Sequence, residues 1–213
     1  MMNKVIRHLF CQPNMLRRII VLVLSVTMMG VGVAVFDQIR FGTDPCAVLT
    51  LAVSRKIGVE FGHCQLAFNL ILFLIILAVK EIHRIGLGSL ANMVILGYAA
   101  DATNWVINQI HPLSAETMLV KLIVFVPTMV LFLIAVAFYM TVDLGVAPYD
   151  AIPQIVAARF KLKFAYVRMA WDILMIIIGF LLGGVVGVVT LITGFFVGPI
   201  VSAIAAKCKK YFE

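Results

Sequence analysis

Of the 213 residues, 63% are hydrophobic and 13% charged, whereas soluble domains run at about 45–50% apolar and about 25% charged. A water-soluble chain this small cannot hide so much apolar surface, so the composition specifies a polytopic membrane protein. The formal net charge is +7, but most of the Lys and Arg side chains sit in short flanks of apolar runs, with no basic face interleaved with aromatics, which excludes nucleic acid as a partner.

The chain opens with Lys4, Arg7, Arg17 and Arg18 ahead of the apolar run Ile19–Phe36. A basic start before an apolar run is the outline of a secretory signal. This run has no convincing small-residue cleavage site, and it is read as the first membrane helix. A crossing helix needs about 20 largely apolar residues. Six stretches qualify: 17–36, 61–79, 86–107, 119–141, 164–182 and 185–206. The last two come from one uncharged run, Ile173 to Ala206, broken at Gly183-Gly184. Between spans one and two, and again between four and five, lie two short helical segments, Cys46–Ile57 and Tyr149–Phe160. Each follows a proline, Pro45 or Pro148, suited to the first helical turn, where the missing N–H costs nothing. At about ten apolar residues they are too short to cross. They are expected either to lie in the interface or to enter and return.

The second half of the chain repeats the first. Shifted by 103 positions, Gly42–Leu72 lands without a gap on Gly145–Met175. Gly42, Pro45, Val53, Phe61 and Ala67 fall on identical residues, and the polar intruder Asn69 falls on Asp172. Farther on, with a two-residue slip, Gly86, Ser89, Asn92 and Gly97 fall on Gly187, Thr190, Thr193 and Gly198. Repeats of this kind outrank other clues to fold. One membrane domain over 1–213 is expected, with repeat 1 over 17–108, repeat 2 over 119–206, and His111-Pro112-Leu113-Ser114 between them. Three spans per copy is an odd number, so the copies are expected upside down to each other, the plan of many secondary transporters. With the N-terminus inside, thirteen of the 17 Lys and Arg fall on the cytoplasmic side, and Arg40, Arg55, Lys56 and Lys121 fall outside.

The Gly-Thr-Asp-Pro run at 42–45, its echo Gly-Val-Ala-Pro-Tyr-Asp at 145–150, and Gly-x-Gly-Ser-x-x-Asn at 86–92 together resemble the bacterial YczE family, which is grouped loosely with the YyaS and YitT proteins. The likeness covers nearly all of the chain. It implies a multi-pass protein of the bacterial cytoplasmic membrane, with both termini cytoplasmic on the charge rule, and it implies no particular activity. The first motif departs from the family pattern, in which an acidic residue often follows two positions after the proline. Ala47 stands there, while the second copy keeps Asp150.

A carboxylate inside a span costs about 2.5–3.5 kcal/mol and should face a partner or water. That makes Asp172 the first candidate, with Asn69 as its counterpart. Arg168, four residues before it on the same helix face, makes either a structural ion pair with Asp172 or part of a substrate or proton site. Neighbouring Trp171 lines a cavity or faces lipid. Asp44 and Asp150 beside Pro45 and Pro148, together with Tyr149, mark the short-helix starts. There a carboxylate caps free N–H groups or helps hold a ligand. Asn92 and Thr193 are expected to hydrogen-bond neighbouring helices, and His63 and Gln65 read as boundary residues. The cysteines, Cys11, Cys46, Cys64 and Cys208, show no metal-ligand spacing and read as unpaired. No phosphate loop, nucleophile elbow or His-Glu-x-x-His is present, so the chain is not expected to be an enzyme or to hold a cofactor or metal. The expected partners are the lipid bilayer, a small polar or amphipathic solute, and a second copy as a homodimer. The expectation is a small permease; the alternative is a membrane factor that assists a partner protein or biosynthetic pathway without transporting.

Overall fold

A computed structural model describes residues 14–195. Among these residues the fold is eight α-helices: α1 (Met15–Ile39), α2 (Pro45–Ile57), α3 (Phe61–Ala78), α4 (Leu87–Ile110), α5 (Met118–Thr141), α6 (Pro148–Phe160), α7 (Phe164–Leu181) and α8 (Val188–Phe195). The boundaries follow the apolar runs and their breakers closely. Pro45 and Pro148 stand at the first turns of α2 and α6, and α7 stops at Leu181, before Gly183-Gly184. The predicted sixth span continues past residue 195, outside the described residues, as do Cys11, Cys208 and the outermost basic flanks.

Four helices, α1, α3, α5 and α7, are long and apolar enough to cross a membrane. Large apolar side chains stand exposed along them, including Leu70, Ile71 and Leu74 on α3, Ile123 and Val126 on α5, and Leu174, Ile177 and Phe180 on α7. In water that surface would be a severe liability; against lipid tails it is the ordinary exterior of a membrane helix. Arg18 is not a solvated flank residue. It lies inside α1, is 8% exposed, and donates from Nη1 to Val142 O at the end of α5 (2.8 Å), answering a carbonyl that the helix end leaves open.

The core forms where α1 packs on α4 and α5. Val26, Val33, Phe36 and Ile39 of α1 meet Leu96 and Ala100 of α4 and Met129 and Phe132 of α5. The α1–α5 pair runs antiparallel. The start of α1 meets the end of α5 through Arg18 and Val142, while just past the end of α1, Phe41 stacks edge-on against Phe125 near the start of α5, with centroids 5.5 Å apart.

The backbone repeats the 103-residue spacing found in the sequence. Among the described residues nine have positive φ, and eight of them pair at that interval: Arg40 with Asp143, Gly42 with Gly145, Gly58 with Lys161, and Lys80 with Gly183. The hydrogen bonds between the halves also correspond. The Val189 N–H donates to Phe41 O (3.0 Å), and the Gly88 N–H donates to Leu144 O (2.7 Å). Only glycine fits at the two loops so joined. At Gly42 (φ +81°) a Cβ would lie 2.5 Å from Gly187 N, and at Gly145 (φ +106°) it would lie 2.5 Å from Gly86 N. Both positions combine a left-handed backbone with a close approach of another chain segment.

Candidate functional site

The two short helices exchange halves. α2 packs chiefly against α7, and α6 packs against α3 as well as its own neighbour α7. Nine of the thirteen residues of α2 are buried, Pro45 through Ala52 together with Ser54. A helix so enclosed cannot be one lying on a membrane surface with a free face. α2, α3, α6 and α7 bring together most of the side chains singled out in the sequence.

Asp172, on α7, is 3% exposed. Its Oδ1 accepts a hydrogen bond from the Tyr149 hydroxyl (2.6 Å) and its Oδ2 from Arg168 Nε (2.8 Å). Arg168 also makes a close ion pair with Asp150 through Nη1, and its guanidinium carbon lies 5.2 Å from the centroid of the Tyr149 ring. Charge-assisted bonds of this kind are the strong ones, and one guanidinium thereby serves two carboxylates. The Asp172 side chain is 4% exposed, against 31% for Arg168 and 34% for Asp150, so the triad runs from a covered carboxylate outward to an open ion pair. Trp171 packs on Tyr149 with centroids 5.8 Å apart.

The first copy supplies neutral counterparts. Subtracting 103 from Tyr149, Arg168 and Asp172 gives Cys46, Gln65 and Asn69, and these three also cluster. Gln65 Oε1 accepts from Thr50 Oγ1 (2.9 Å) and, weakly, from Cys46 Sγ (3.8 Å). The Asn69 amide nitrogen donates to Gln65 O on its own helix (3.0 Å). Cys46 and Cys64 are both free and buried. Cys46 shares an apolar cluster with Leu49, Leu72, Tyr149 and Met175, against which Phe68 and Trp171 pack. The site is therefore charged on one side and neutral on the other.

Gln65 and Thr50 were not singled out by residue type. Gln65 is legible from the repeat, because it occupies the position of Arg168; Thr50 falls on Pro153 at the same interval and carries no such signal.

Two polar atoms in this region are buried without a hydrogen-bond partner: Asn69 Oδ1 and Trp171 Nε1. Asn69 is wholly buried. Buried polar groups are nearly always answered, so each exception calls for an explanation such as a water, an ion or a ligand.

Asp44 accepts from the Ala47 N–H (3.2 Å) and so caps α2. Burial pushes its carboxyl up to about 6; the Ala47 N–H opposes the rise, and the nearby Asp150 and Asp172 charges add to it. At the matching position α6 has Ala147 and no side-chain cap, while Asp150 stands in its first turn.

Among the described residues, Asn92 and Thr193 share no hydrogen bond with the charged triad; the two stand on α4 and α8. Asn92 is buried on α4, and Thr193 donates to Val189 O of its own helix (2.8 Å) rather than to a neighbouring helix. Asp101 accepts the Gly62 N–H (2.6 Å) and so ties α4 to the first turn of α3. His63 stands in the same first turn of α3, close to Glu60 (3.5 Å).

A model described as "Family of unknown function (DUF6198)" matches residues 16–206. The chain is 26% identical to an uncharacterized protein of Haemophilus influenzae over 87% of its own length and 82% of that protein. It is 24% identical to the uncharacterized protein YyaS of Bacillus subtilis over 80% of its length and 83% of that protein. No solved structure matches.

Proposed function

The chain belongs to the family of unknown function DUF6198, and we propose that it is a small secondary permease made of two inverted repeats, each with three spans and a re-entrant half-helix. In this reading α4 and the sixth span expected over 185–206 complete the six crossings, both termini are cytoplasmic, and Asp172, Asn69, Arg168, Trp171, Tyr149, Asp150 and Asp44 form a solute site. All of these residues come from one chain, so the proposal does not depend on oligomeric state.

Inversion is supported by α1 and α5, which correspond in the repeat and run antiparallel. A duplication inserted both ways up requires that relation. The enclosure of α2 supports re-entry, because non-spanning backbone survives at membrane depth only when protein or a watery cavity surrounds it.

The observation that carries transport is the exchange of half-helices around an incompletely answered polar cluster. The half-helix of each copy leans on the second span of the other copy, with Asn69 Oδ1 and Trp171 Nε1 buried and unanswered. Rocking one half against the other would open such a site to each side in turn.

The alternative, a non-transporting membrane factor, draws on one observation: both oxygens of Asp172 are already satisfied within the chain.

The two readings part on accessibility. Phe68 packs against the cluster as the counterpart of Trp171. In a chain whose four native cysteines are replaced, Phe68→Cys should react with a membrane-impermeant maleimide in both right-side-out and inside-out vesicles. Labelling from neither side, or from only one, contradicts alternating access.

A further inference from the structure

We infer that the polar cluster binds a small monovalent cation bearing N–H donors, a protonated primary amine. The route this cation takes rests on the permease reading above; the binding chemistry does not.

Charge sets the sign and size of what is missing. Asp44, Asp150 and Asp172 lie within electrostatic reach of one another, and Arg168 contributes the compensating positive charge, bonded to two of them. α2 and α6 begin at these carboxylates, Asp44 capping the first and Asp150 standing in the first turn of the second, and each helix start supplies roughly half a positive charge. The three carboxylates remain in excess by about one unit. One monovalent cation would balance the site, whereas an anion would add to the excess and a divalent ion would overshoot it.

Asn69 specifies the kind of cation. Residues 65, 69, 72 and 76 form one stripe along α3, and all four are buried. Gln65 reaches Cys46 and Thr50 of α2. Leu72 packs with Cys46 and Tyr149, and Ile76 packs with Ala151 and Ile155 of α6. Asn69 therefore faces the two half-helices whose starts carry Asp44 and Asp150. Its amide nitrogen is used by Gln65 O, and its Oδ1 is an acceptor with nothing to accept. A primary ammonium brings both the charge and an N–H for that oxygen. A quaternary ammonium brings the charge alone. The aromatic faces of Trp171 and Phe68, packed at the same cluster, suit the cation and its short apolar stem.

A proton can occupy the same unit of charge. Asp44 is the carboxyl placed to hold it, with Asp150 and Asp172 as the charged groups facing it and Cys46 beside it on α2. Amine and proton therefore compete.

The test is equilibrium binding of radiolabelled methylammonium to the purified, monodisperse full-length protein. Saturable binding is expected, displaced by unlabelled methylammonium and not by tetramethylammonium or acetate, and weakening as pH falls below about 6. Asn69→Leu and Asp44→Asn should each weaken it about tenfold, the effect of one lost polar contact, and Asp44→Asn should also flatten the pH dependence. Absence of saturable binding overturns the inference. So does displacement by tetramethylammonium or acetate as effective as by methylammonium, or wild-type binding in both variants. Methylammonium binding without two-sided labelling of Phe68→Cys would keep the cation site and remove the permease. Two-sided labelling without methylammonium binding would do the reverse.

Discussion

At the scale of residues, Arg168 holds the charged half of the site together. It is the cation bonded to both Asp150 and Asp172, so its removal strands two carboxylates. Breaking a buried pair from one side costs about 3–5 kcal/mol, whereas replacing both partners by apolar side chains is often close to neutral. The Arg168 side chain is 31% exposed, which places Arg168→Met near the lower bound, about 3 kcal/mol. The double variant Arg168→Met with Asp172→Leu should recover most of that loss in thermal unfolding of the purified protein. A double variant less stable than Arg168→Met alone would show that the triad is not coupled in this way. Part of the triad is legible in the sequence: Arg168 and Asp172 stand four apart on one apolar helix, and Asp150 follows Pro148. The Tyr149–Asp172 bond is not legible, because it joins two helices and spacing along one helix says nothing about which neighbour it meets. Gln65 stands near a helix start, where residue type alone marks it as a boundary residue.

At the scale of elements, the loops leaving α1 and α5 are the strictest parts of the fold. Gly145 combines φ +106° with a Cβ position 2.5 Å from Gly86 N. Gly58 has φ +71° and nothing within 4 Å of its Cβ position. Gly58→Ala should therefore cost only the left-handed backbone, about 1–2 kcal/mol. Gly145→Ala adds a forced shift worth about 1–3 kcal/mol, giving a total of about 3 kcal/mol. The two melting temperatures in detergent check this; equal losses would remove the tight loop junction from the account. Element boundaries were legible because apolar length, proline and glycine act locally. The exchange of α2 and α6 between halves was not, because it depends on how two finished units dock. Arg18 shows the same limit from the other side: a basic residue at the start of a span looks like a flank until the end of α5 arrives beside it.

At the scale of the whole molecule, the 103-residue interval orders sequence, backbone and contacts alike. Left-handed residues recur at it, the linking hydrogen bonds Val189–Phe41 and Gly88–Leu144 answer each other with the two-residue slip that the sequence shows beyond residue 86, and the neutral trio Cys46, Gln65 and Asn69 stands at that interval from Tyr149, Arg168 and Asp172. The charged triad stands in the second half of the chain and its neutral counterparts stand in the first. The decisive measurement concerns the orientation of the two halves. Val59 and Leu162, 103 apart, are exposed at 42% and 56% in the turns that follow α2 and α6. Single-cysteine variants Val59→Cys and Leu162→Cys, probed with an impermeant maleimide in vesicles of known orientation, should label from opposite faces of the membrane. Labelling of both from the same face would contradict the inverted duplication, and with it the shared site between the halves.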